Sequence, residues 1–303
     1  WLRRSARRLL TGVADSISSD LKMVRPFAVQ LLGLSENDLD IYMGEVEQML
    51  ISETDYELEL RRSIEMSEAC KHIPNVRFAT YYPEYTCKKV LTMEWLDGFH
   101  LDKFLATNPS QETRNKIGQA LWDFYDYQMH NLLAVHADPH PGNFLMREEG
   151  TLCILDFGCV KVIPPHYYKE HFKVIDPIIF ENDEKLAEVF TALQFIYTDD
   201  TPTDRQFFLH LFKEMLSITL QPFQQPIFDF GNEAYFKHLF EFGEKLSKME
   251  ELRKSKKPRG SKDALYINRT YFGLYTLLHD LKAQVSTQTT WKQKFAEAQQ
   301  KAK

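Results

Sequence analysis

HADPHPGNFLMREEGTLCILDFG, residues 136–158, is the stretch of sequence that decides the fold. Its two apolar runs, FLM and LCIL, have the length and composition of short buried strands. Asp138 and Asn143 stand five residues apart before the first run, and Asp156 follows the second run, thirteen residues after Asn143. The prolines and the glycine between Asp138 and Asn143 stiffen and turn the chain. The pattern therefore predicts that three polar side chains converge beside two short strands.

An aspartate, an asparagine five residues later and the aspartate of a downstream DFG form the core of protein-kinase chemistry. Phosphoryl transfer places negative charge on phosphate oxygens, which divalent cations bridge and neutralise. Mg²⁺ prefers hard oxygen ligands, and the amide of Asn143 and the carboxylate of Asp156 supply them. We therefore predict a site for ATP and Mg²⁺ with Asn143 and Asp156 as metal ligands. Asp138 is the predicted catalytic residue, which orients or deprotonates the attacking hydroxyl.

The histidines of the same stretch suggest a second interpretation, a zinc hydrolase. His136, Asp138 and His140 alternate along the chain, and alternating side chains could chelate zinc. A hydrolase needs further ligands, however, and the other candidate pair, His279 and Asp280, lies in an ordinary amphipathic helix pattern. The kinase-like interpretation is therefore favoured. His136 is predicted to be a packed loop residue, and the pattern leaves open whether His140 touches phosphate or only shapes the loop.

Composition narrows the classes of function further. The chain has 303 residues, of which 44% are hydrophobic, so a substantial core is expected. A net charge of −6 and an isoelectric point near 6.0 argue against a nucleic-acid surface, because phosphate binding requires a basic face. The four cysteines form no CxxC pair, which disfavours a zinc site or a disulfide framework.

The chain begins with Trp1 and continues with a basic segment, WLRRSARRLL. As a helix, this segment would carry its arginines on one face and could lie at a membrane surface or act as a targeting signal. The favoured interpretation is the solvated basic end of a truncated chain. Because no apolar run reaches the ~18 residues of a membrane span, we predict a cytoplasmic protein, with peripheral membrane contact as an option.

The order of apolar patterns predicts an α+β protein in two parts. Residues 1–95 form a small part with a long helix and a hairpin made of VRFATYY and KKVLTMEWL. Residues 96–303 form a larger, mainly helical part that contains the site. Within it, TLCILDFGCVKV is predicted to be a strand pair around a turn, and LRKSKKPRGSKD, residues 252–263, a solvated basic loop.

The motifs HADPHPGNFL and LDFG, with ETDYELE at 53–59 and GVADSISSDL at 12–21, resemble the UbiB/ADCK family of atypical kinases. The resemblance covers the chain from about residue 12 to about residue 282. It implies a bilobal protein-kinase-like fold, here with a truncated N-lobe and a large helical C-lobe. It also implies binding of ATP and Mg²⁺ and a role in ubiquinone or isoprenoid-lipid biosynthesis, with isoprenoid-quinone precursors or biosynthetic proteins as partners.

The resemblance also assigns roles to residues outside the stretch 136–158. Glu59 matches the glutamate that pairs with the ATP-binding lysine. The hinge, where backbone groups would meet adenine, matches Met93, Glu94 and Leu96. Glu53 and Asp55 match a regulatory motif that helps to hold an inhibitory N-terminal extension over the active site.

The sequence departs from the family pattern near its beginning. The family's lysine should lie just upstream of Gly12, yet the first lysine is Lys22, and Arg7 and Arg8 stand nearby instead. Arginine's planar fork does not simply replace a lysine, and no glycine-rich phosphate loop is present. The leading hypothesis is an ATP/Mg²⁺-binding atypical kinase or ATPase. The alternatives are a non-catalytic nucleotide-binding scaffold and a small-molecule phosphotransferase of the aminoglycoside or choline kinase type.

Overall fold

The structure is a computed structural model, and it describes residues 4–8, 16–17, 19–23, 43–44, 47, 50–51, 54–255 and 257–287. The described strands are β1 (Arg4–Arg8), β2 (Val76–Phe78), β3 (Val90–Glu94), β4 (Ala134–His136), β5 (Phe144–Met146), β6 (Leu152–Ile154), β7 (Val160–Val162), β8 (Ile227–Asp229) and β9 (Gln284–Ser286).

Helices make up most of the described chain. They are α1 (Tyr56–Cys70), α2 (Leu101–Ala106), α3 (Gln111–Tyr127), α4 (Pro165–His171), α5 (Pro177–Phe180), α6 (Asp183–Ala192), α7 (Pro202–Thr219), α8 (Glu233–Lys248), α9 (Glu250–Lys254) and α10 (Lys262–Asp280). Mixed helix and sheet, with the helices concentrated after residue 96, agrees with the predicted α+β class.

The strands form small sheets that converge on the decisive stretch. β6 lies between β5, to which it is antiparallel, and β2, to which it is parallel. β4 pairs with β7 in a second sheet directly beside the first site loop. Every residue of β5 and β6 is buried, as expected for strands covered on both faces. These buried strands therefore provide a rigid base for the loops that precede and follow them.

The helical part is held by a core rich in aromatic side chains. Ser110 caps α3: its hydroxyl accepts a hydrogen bond from the Thr113 amide, which satisfies one of the unpaired donors of the first turn. Trp122 of α3 lies 5.5 Å from Phe223 and 6.0 Å from Phe230, ring centre to ring centre. Trp122 also stacks on Tyr275 of α10 at 6.5 Å, so aromatic packing joins α3 to the C-terminal part of the chain.

The N-terminal basic segment differs from the helix considered from its sequence. Residues 4–8 form β1, which pairs antiparallel with β3, and Arg7 and Arg8 stand opposite Leu91 and Val90. The arginine spacing alone could not reveal this, because the edge of β3 offers backbone hydrogen bonds that a distant segment can complete. A strand is thus present where the sequence suggested a missing or scrambled part of the small lobe.

The hairpin predicted from VRFATYY and KKVLTMEWL is formed only by the second half of its first strand. Tyr82 donates its amide to the carbonyl of Thr92 at 3.0 Å, and Glu94 donates to Thr80 at 2.7 Å, so this part pairs antiparallel. Residues 76–78 instead leave the hairpin and pair with β6. The strand pair predicted within 151–162 is likewise wrong, because β6 and β7 belong to different sheets. Local alternation identifies strands but not their partners.

The basic loop at 252–263 is less solvated than predicted. Arg259 forms a two-pronged ion pair with Asp200, at 2.7 and 3.0 Å, and the two side chains are only 9% and 5% exposed. Its guanidinium also lies 3.7 Å from the ring centre of Phe208. The loop is therefore attached to the helical core rather than free in solvent.

Replacing Arg259 with alanine is expected to lower the free energy of unfolding by about 3–5 kcal/mol, because it leaves the Asp200 carboxylate buried without its cation. Lys245→Ala is the matched control. Its partner is Glu214 at 2.9 Å, both side chains are about half exposed, and such pairs contribute at most about 1 kcal/mol. Urea unfolding of both variants checks this, and equal losses would contradict the structural role of Arg259.

None of the helices that the structure describes is long and apolar enough to cross a membrane.

Candidate functional site

The loop between β4 and β5 brings Asp138 and Asn143 together. His140 accepts a hydrogen bond from the Gly142 amide at 3.0 Å through Nδ1, and a short 3-10 turn, Pro141–Asn143, follows. The amide nitrogen of Asn143 donates to the Asp138 carbonyl at 3.0 Å and to its carboxylate at 3.1 Å. His140 therefore shapes the loop through Nδ1, which is one of the two roles that the sequence left open.

The orientation of Asn143 matters for metal binding. Because its nitrogen faces Asp138, the amide oxygen is turned away from that residue. Among the described residues, no hydrogen bond to this oxygen is formed. An amide oxygen in this state matches the donor type that Mg²⁺ takes from proteins.

Asp156 is brought beside Asn143 by the β5–β6 ladder. Phe144 stands opposite Ile154, and the next hydrogen bond runs from the Leu155 amide to the Asn143 carbonyl at 3.0 Å. Asp156 follows directly, and its Oδ1 accepts from the Gly158 amide at 2.6 Å. Residues thirteen apart in sequence are therefore neighbours across two strands.

The rest of the DFG motif is anchored on both sides. The Phe157 ring is fully buried, 5.9 Å from the rings of both Phe78 and His136. The carbonyl of Gly158 accepts a hydrogen bond from Arg62 of α1 at 2.8 Å. This last contact links α1, in the small part, to the turn that carries Asp156.

His136 packs under the site rather than projecting into it. The side chain is fully buried, and its Nδ1 lies 3.2 Å from the Tyr125 hydroxyl. Burial lowers the pKa of His136, and this effect outweighs the nearby carboxylates of Asp156 and Asp138, which would raise it. The ring is therefore neutral at neutral pH, in agreement with the predicted packing role.

The zinc interpretation gains no support. Across the residues that the structure describes, no group of three or more histidine, cysteine, aspartate or glutamate side chains could hold a metal ion.

A helix distant in sequence completes the surroundings of Asp138. Arg269 of α10 donates to the Asp138 carboxylate at 2.6 Å, and the two side chains are 47% and 36% exposed. Four residues later, Gly273 packs on the same loop: a Cβ built there would lie 2.2 Å from Cγ of Pro139. α10 thus supports the loop through one ion pair and one close backbone contact.

The predicted hinge residues have different environments. Met93 and Leu96 are buried. The Glu94 carboxylate accepts hydrogen bonds from Arg77 at 2.5 Å and from the Thr80 amide and hydroxyl, both at 3.1 Å. The Glu94 side chain is therefore engaged in holding the segment. The Glu94 amide is bound as well, since it donates to the Thr80 carbonyl, so the backbone groups that a ligand could meet here are those of residues 95 and 96.

Two further predicted residues, Glu59 and Asp55, belong to α1 and its N-terminal cap. Glu59 is buried, with 4% of its surface exposed, on the helix that also packs Leu60 in a cluster with Leu91 of β3. Asp55 caps α1, since its Oδ1 accepts from the amides of Glu57 and Leu58, each at 3.1 Å. Glu53 lies outside the described residues.

Comparison with known proteins decides the family. The family model described as "ABC1 atypical kinase-like domain" matches residues 8–190. This match covers more than half of the chain and includes β3, the loop after β4 and the DFG turn. The chain belongs to the ABC1/UbiB atypical kinase family. The resemblance inferred from HADPHPGNFL and LDFG is confirmed.

Curated relatives support this at moderate similarity. The chloroplastic protein "ACTIVITY OF BC1 COMPLEX KINASE 8" of Arabidopsis thaliana is 28% identical over 219 residues, covering 68% of this chain and 29% of the relative. "AarF domain-containing protein kinase 1" of Xenopus laevis is 27% identical over 147 residues, covering 47% and 28%. The chain therefore spans less than a third of these two relatives.

A solved structure shows the same fold. The complex of Rv3197 with erythromycin, from Mycobacterium tuberculosis, superposes with a TM-score of 0.67 at 21% identity. The match covers 94% of this chain and 69% of that one. The predicted α+β kinase-like class is thereby confirmed, while the division at residues 95 and 96 stays a prediction.

Three residues that contact the loops carrying Asp138 and Asp156 were not identified from the sequence: Arg62, Arg269 and Gly273. Arg269 is separated from Asp138 by 131 residues, and no local motif marks it. Gly273 carries a weak signal, since a glycine inside an apolar helix is costly and often marks a close approach.

Gly273→Ala is expected to cost about 1–3 kcal/mol of stability, because the added methyl group meets buried Pro139 and something must shift. Gly243→Ala, in the interior of α8, is the matched control. A Cβ there meets nothing within 4 Å, so it should stabilise the helix by about 0.5–1 kcal/mol. Thermal unfolding of both checks this. A neutral Gly273→Ala would show that the loop has room to move.

The surroundings of the Glu94 carboxylate predict that the free energy of unfolding depends on pH. Burial would raise the pKa of Glu94, but the hydrogen bonds from Thr80 and Arg77 outweigh it, and the pKa lies below the usual value of 4.5. A lowered folded-state pKa stabilises the fold above the unfolded-state value and loses that contribution as pH falls through the folded-state value.

Glu94→Gln should therefore lose stability relative to the unchanged chain at neutral pH, by about 1 kcal/mol or less because Arg77 is 44% exposed. The difference should shrink below the unfolded-state pKa of Glu94 and vanish once the pH has fallen through its lowered folded-state pKa. Urea unfolding across this range checks it, and a difference that persists in acid would contradict the assignment.

Proposed function

We propose that this ABC1 domain binds ATP together with Mg²⁺ and acts as an atypical kinase or ATPase. The observation that carries the proposal is that Asp138 and Asn143 are bonded in the loop between β4 and β5, and that the β5–β6 ladder brings the chain just before Asp156 to Asn143. A carboxylate and an amide oxygen side by side suit Mg²⁺, and a second carboxylate near them suits a hydroxyl that must lose a proton.

The residues present fit this pair of ligands. Mg²⁺ supplies positive charge that bridges and neutralises phosphate oxygens. Asn143 and Asp156 would hold it, and the buried strands β5 and β6 keep these two residues in register. The backbone of residues 95 and 96 would receive adenine, because both the side chain and the amide of Glu94 are already bound to Arg77 and Thr80.

Asp138 would act on the acceptor. Its carboxylate is held by Asn143 on one oxygen and by Arg269 on the other. Such support fixes the orientation of the carboxylate, and a carboxylate placed beside the acceptor can take a proton from its hydroxyl. Following the resemblance, we place the acceptor or product in isoprenoid-quinone metabolism.

A nucleotide-binding scaffold without turnover is the second candidate, and one observation favours it. The strand beside β3, residues 4–8, reads RSARR and contains no lysine. Arg7 pairs with Leu91, and Leu91 packs in the same cluster as Leu60 of α1, the neighbour of Glu59. An arginine in place of the lysine would alter how the phosphate groups of a nucleotide are bound.

Calorimetric titration with ATP in Mg²⁺, repeated in EDTA, together with an ADP-release assay, separates the two candidates. Saturable, Mg²⁺-dependent binding with ADP release supports the kinase or ATPase. Binding of the same kind without release supports the scaffold. Absence of nucleotide binding in Mg²⁺ by the folded chain would overturn both.

A further inference from the structure

The helical part contains a cavity of about 370 Å³, and none of Asp138, Asn143 and Asp156 lines it. It lies among the helices around α7, α8 and α10. Its walls are mainly aliphatic and aromatic side chains, among them Phe190, Phe195, Leu216, Phe223, Leu239 and Phe242. Its volume falls within the range of small-molecule sites, about 300–1,000 Å³. A space of this size inside a packed core requires an explanation, since protein interiors leave few voids.

Polar groups in the wall are directed into the protein. The Thr219 hydroxyl donates to the Met215 carbonyl at 3.0 Å, and the Tyr275 hydroxyl donates to the Thr219 carbonyl at 3.0 Å. Burial lowers the pKa of His171 to about 4, so this wall residue is uncharged at neutral pH. The interior of the cavity is therefore apolar in character and suits hydrocarbon rather than water.

The polar end of the cavity lies on α10. Asn268 and Arg269 line it, and Arg269 is the residue that holds the Asp138 carboxylate. Leu265 and Phe272, one turn to either side, also line it and are 50% and 47% exposed. This wall therefore combines partly exposed apolar side chains with Arg269, next to the loop that carries Asp138.

We propose that this cavity binds an amphiphile with a single apolar chain and an oxygen-bearing head group, the chain inside and the head at Arg269. Arginine has five N–H donors and no acceptor, and the contact with Asp138 is made through Nη2. An oxygen acceptor such as a hydroxyl or carboxylate therefore complements this end, and a cationic head does not. The site is separate from the nucleotide site and requires no nucleotide to fill.

Gly243 of α8 allows the cavity to be blocked without disturbing its walls. It lines the cavity, is itself exposed, and a Cβ built on it meets nothing within 4 Å. Leucine at this position adds bulk at the opening, and its helix propensity exceeds that of glycine by about 1 kcal/mol. Glu241→Leu is the matched control, because Glu241 is exposed on the same helix and does not line the cavity.

Calorimetric titration with dodecanoate, dodecan-1-ol and dodecylammonium, in the absence of nucleotide, tests the proposal. Dodecanoate and dodecan-1-ol should bind saturably to the unchanged chain at one site and raise its melting temperature, and dodecylammonium should bind at least tenfold more weakly. Gly243→Leu should weaken dodecanoate binding at least tenfold, while Glu241→Leu should leave it unchanged.

Fluorescence quenching by 12-bromododecanoate locates the chain. Trp122 is buried 5.5 Å from Phe223 and stacks at 6.5 Å on Tyr275, and both of these partners line the cavity. Quenching should saturate in parallel with the calorimetric binding and be lost in Trp122→Phe. No saturable binding, equal binding by Gly243→Leu and Glu241→Leu, or quenching that survives Trp122→Phe would each overturn the proposal. None of these results depends on whether ATP binds.

Discussion

Asp156→Asn is expected to weaken Mg²⁺-dependent ATP binding at least about 100-fold, and any ADP release with it. Asp156 is the carboxylate of the proposed metal site, and Asn143 beside it is neutral. Removing the negative charge leaves only neutral ligands for a divalent cation, which prefers anionic oxygen. The variant should fold normally, since asparagine keeps an oxygen that can accept from the Gly158 amide, as Asp156 does at 2.6 Å.

Calorimetric titration at several Mg²⁺ concentrations measures the effect. Asp102→Asn, an exposed change on α2, removes the same charge elsewhere and should bind nucleotide as the unchanged chain does. If Asp156→Asn bound ATP with unaltered affinity and unaltered Mg²⁺ dependence, the metal would have to be held by other residues.

Asp138→Asn is expected to separate binding from turnover. The Asp138 carboxylate is directed at Asn143 and Arg269, and it is not one of the proposed metal ligands. Nucleotide affinity should therefore change little. Loss of a general base typically costs about 10²–10⁴ in rate, so ADP release should fall by that factor.

Arg269→Gln is the control that separates loss of the base from loss of the ion pair. Both partners are partly exposed, and such a pair contributes about 1 kcal/mol or less. Arg269→Gln should thus reduce turnover far less than Asp138→Asn. Equal reductions would show that Asp138 acts by positioning the loop rather than on the acceptor. A chain without turnover, as in the scaffold, would show no difference between them.

The local features of the site were predictable because they are encoded within short stretches. Spacing alone indicated that Asp138, Asn143 and Asp156 would converge, and the β5–β6 ladder places Asn143 next to Leu155. The prolines and glycine restrict the backbone wherever they occur. The packed state of His136 followed from the same reasoning, since a buried histidine is more commonly packed than metal-bound.

Pairing partners were not predictable from alternation of apolar residues. The runs at 76–78 and 152–154 were recognised as strands, but their parallel pairing with each other brings together segments more than seventy residues apart. Residues 4–8 join β3 for a similar reason, although their arginine spacing suggested a helix. The sequence pattern shows which residues are apolar, but it does not show with which strand they will pair.

By itself, the sequence determined the class of the fold, the family and the residues of the proposed nucleotide site, because each depends on contacts between near neighbours or on a recognisable motif. Only the tertiary structure decided that α10 supports the loop through Arg269 and Gly273, and that Arg62 reaches Gly158. It also created the apolar cavity beside Arg269. The physical reason is that long-range packing depends on shape and volume, which no local spacing in the chain records.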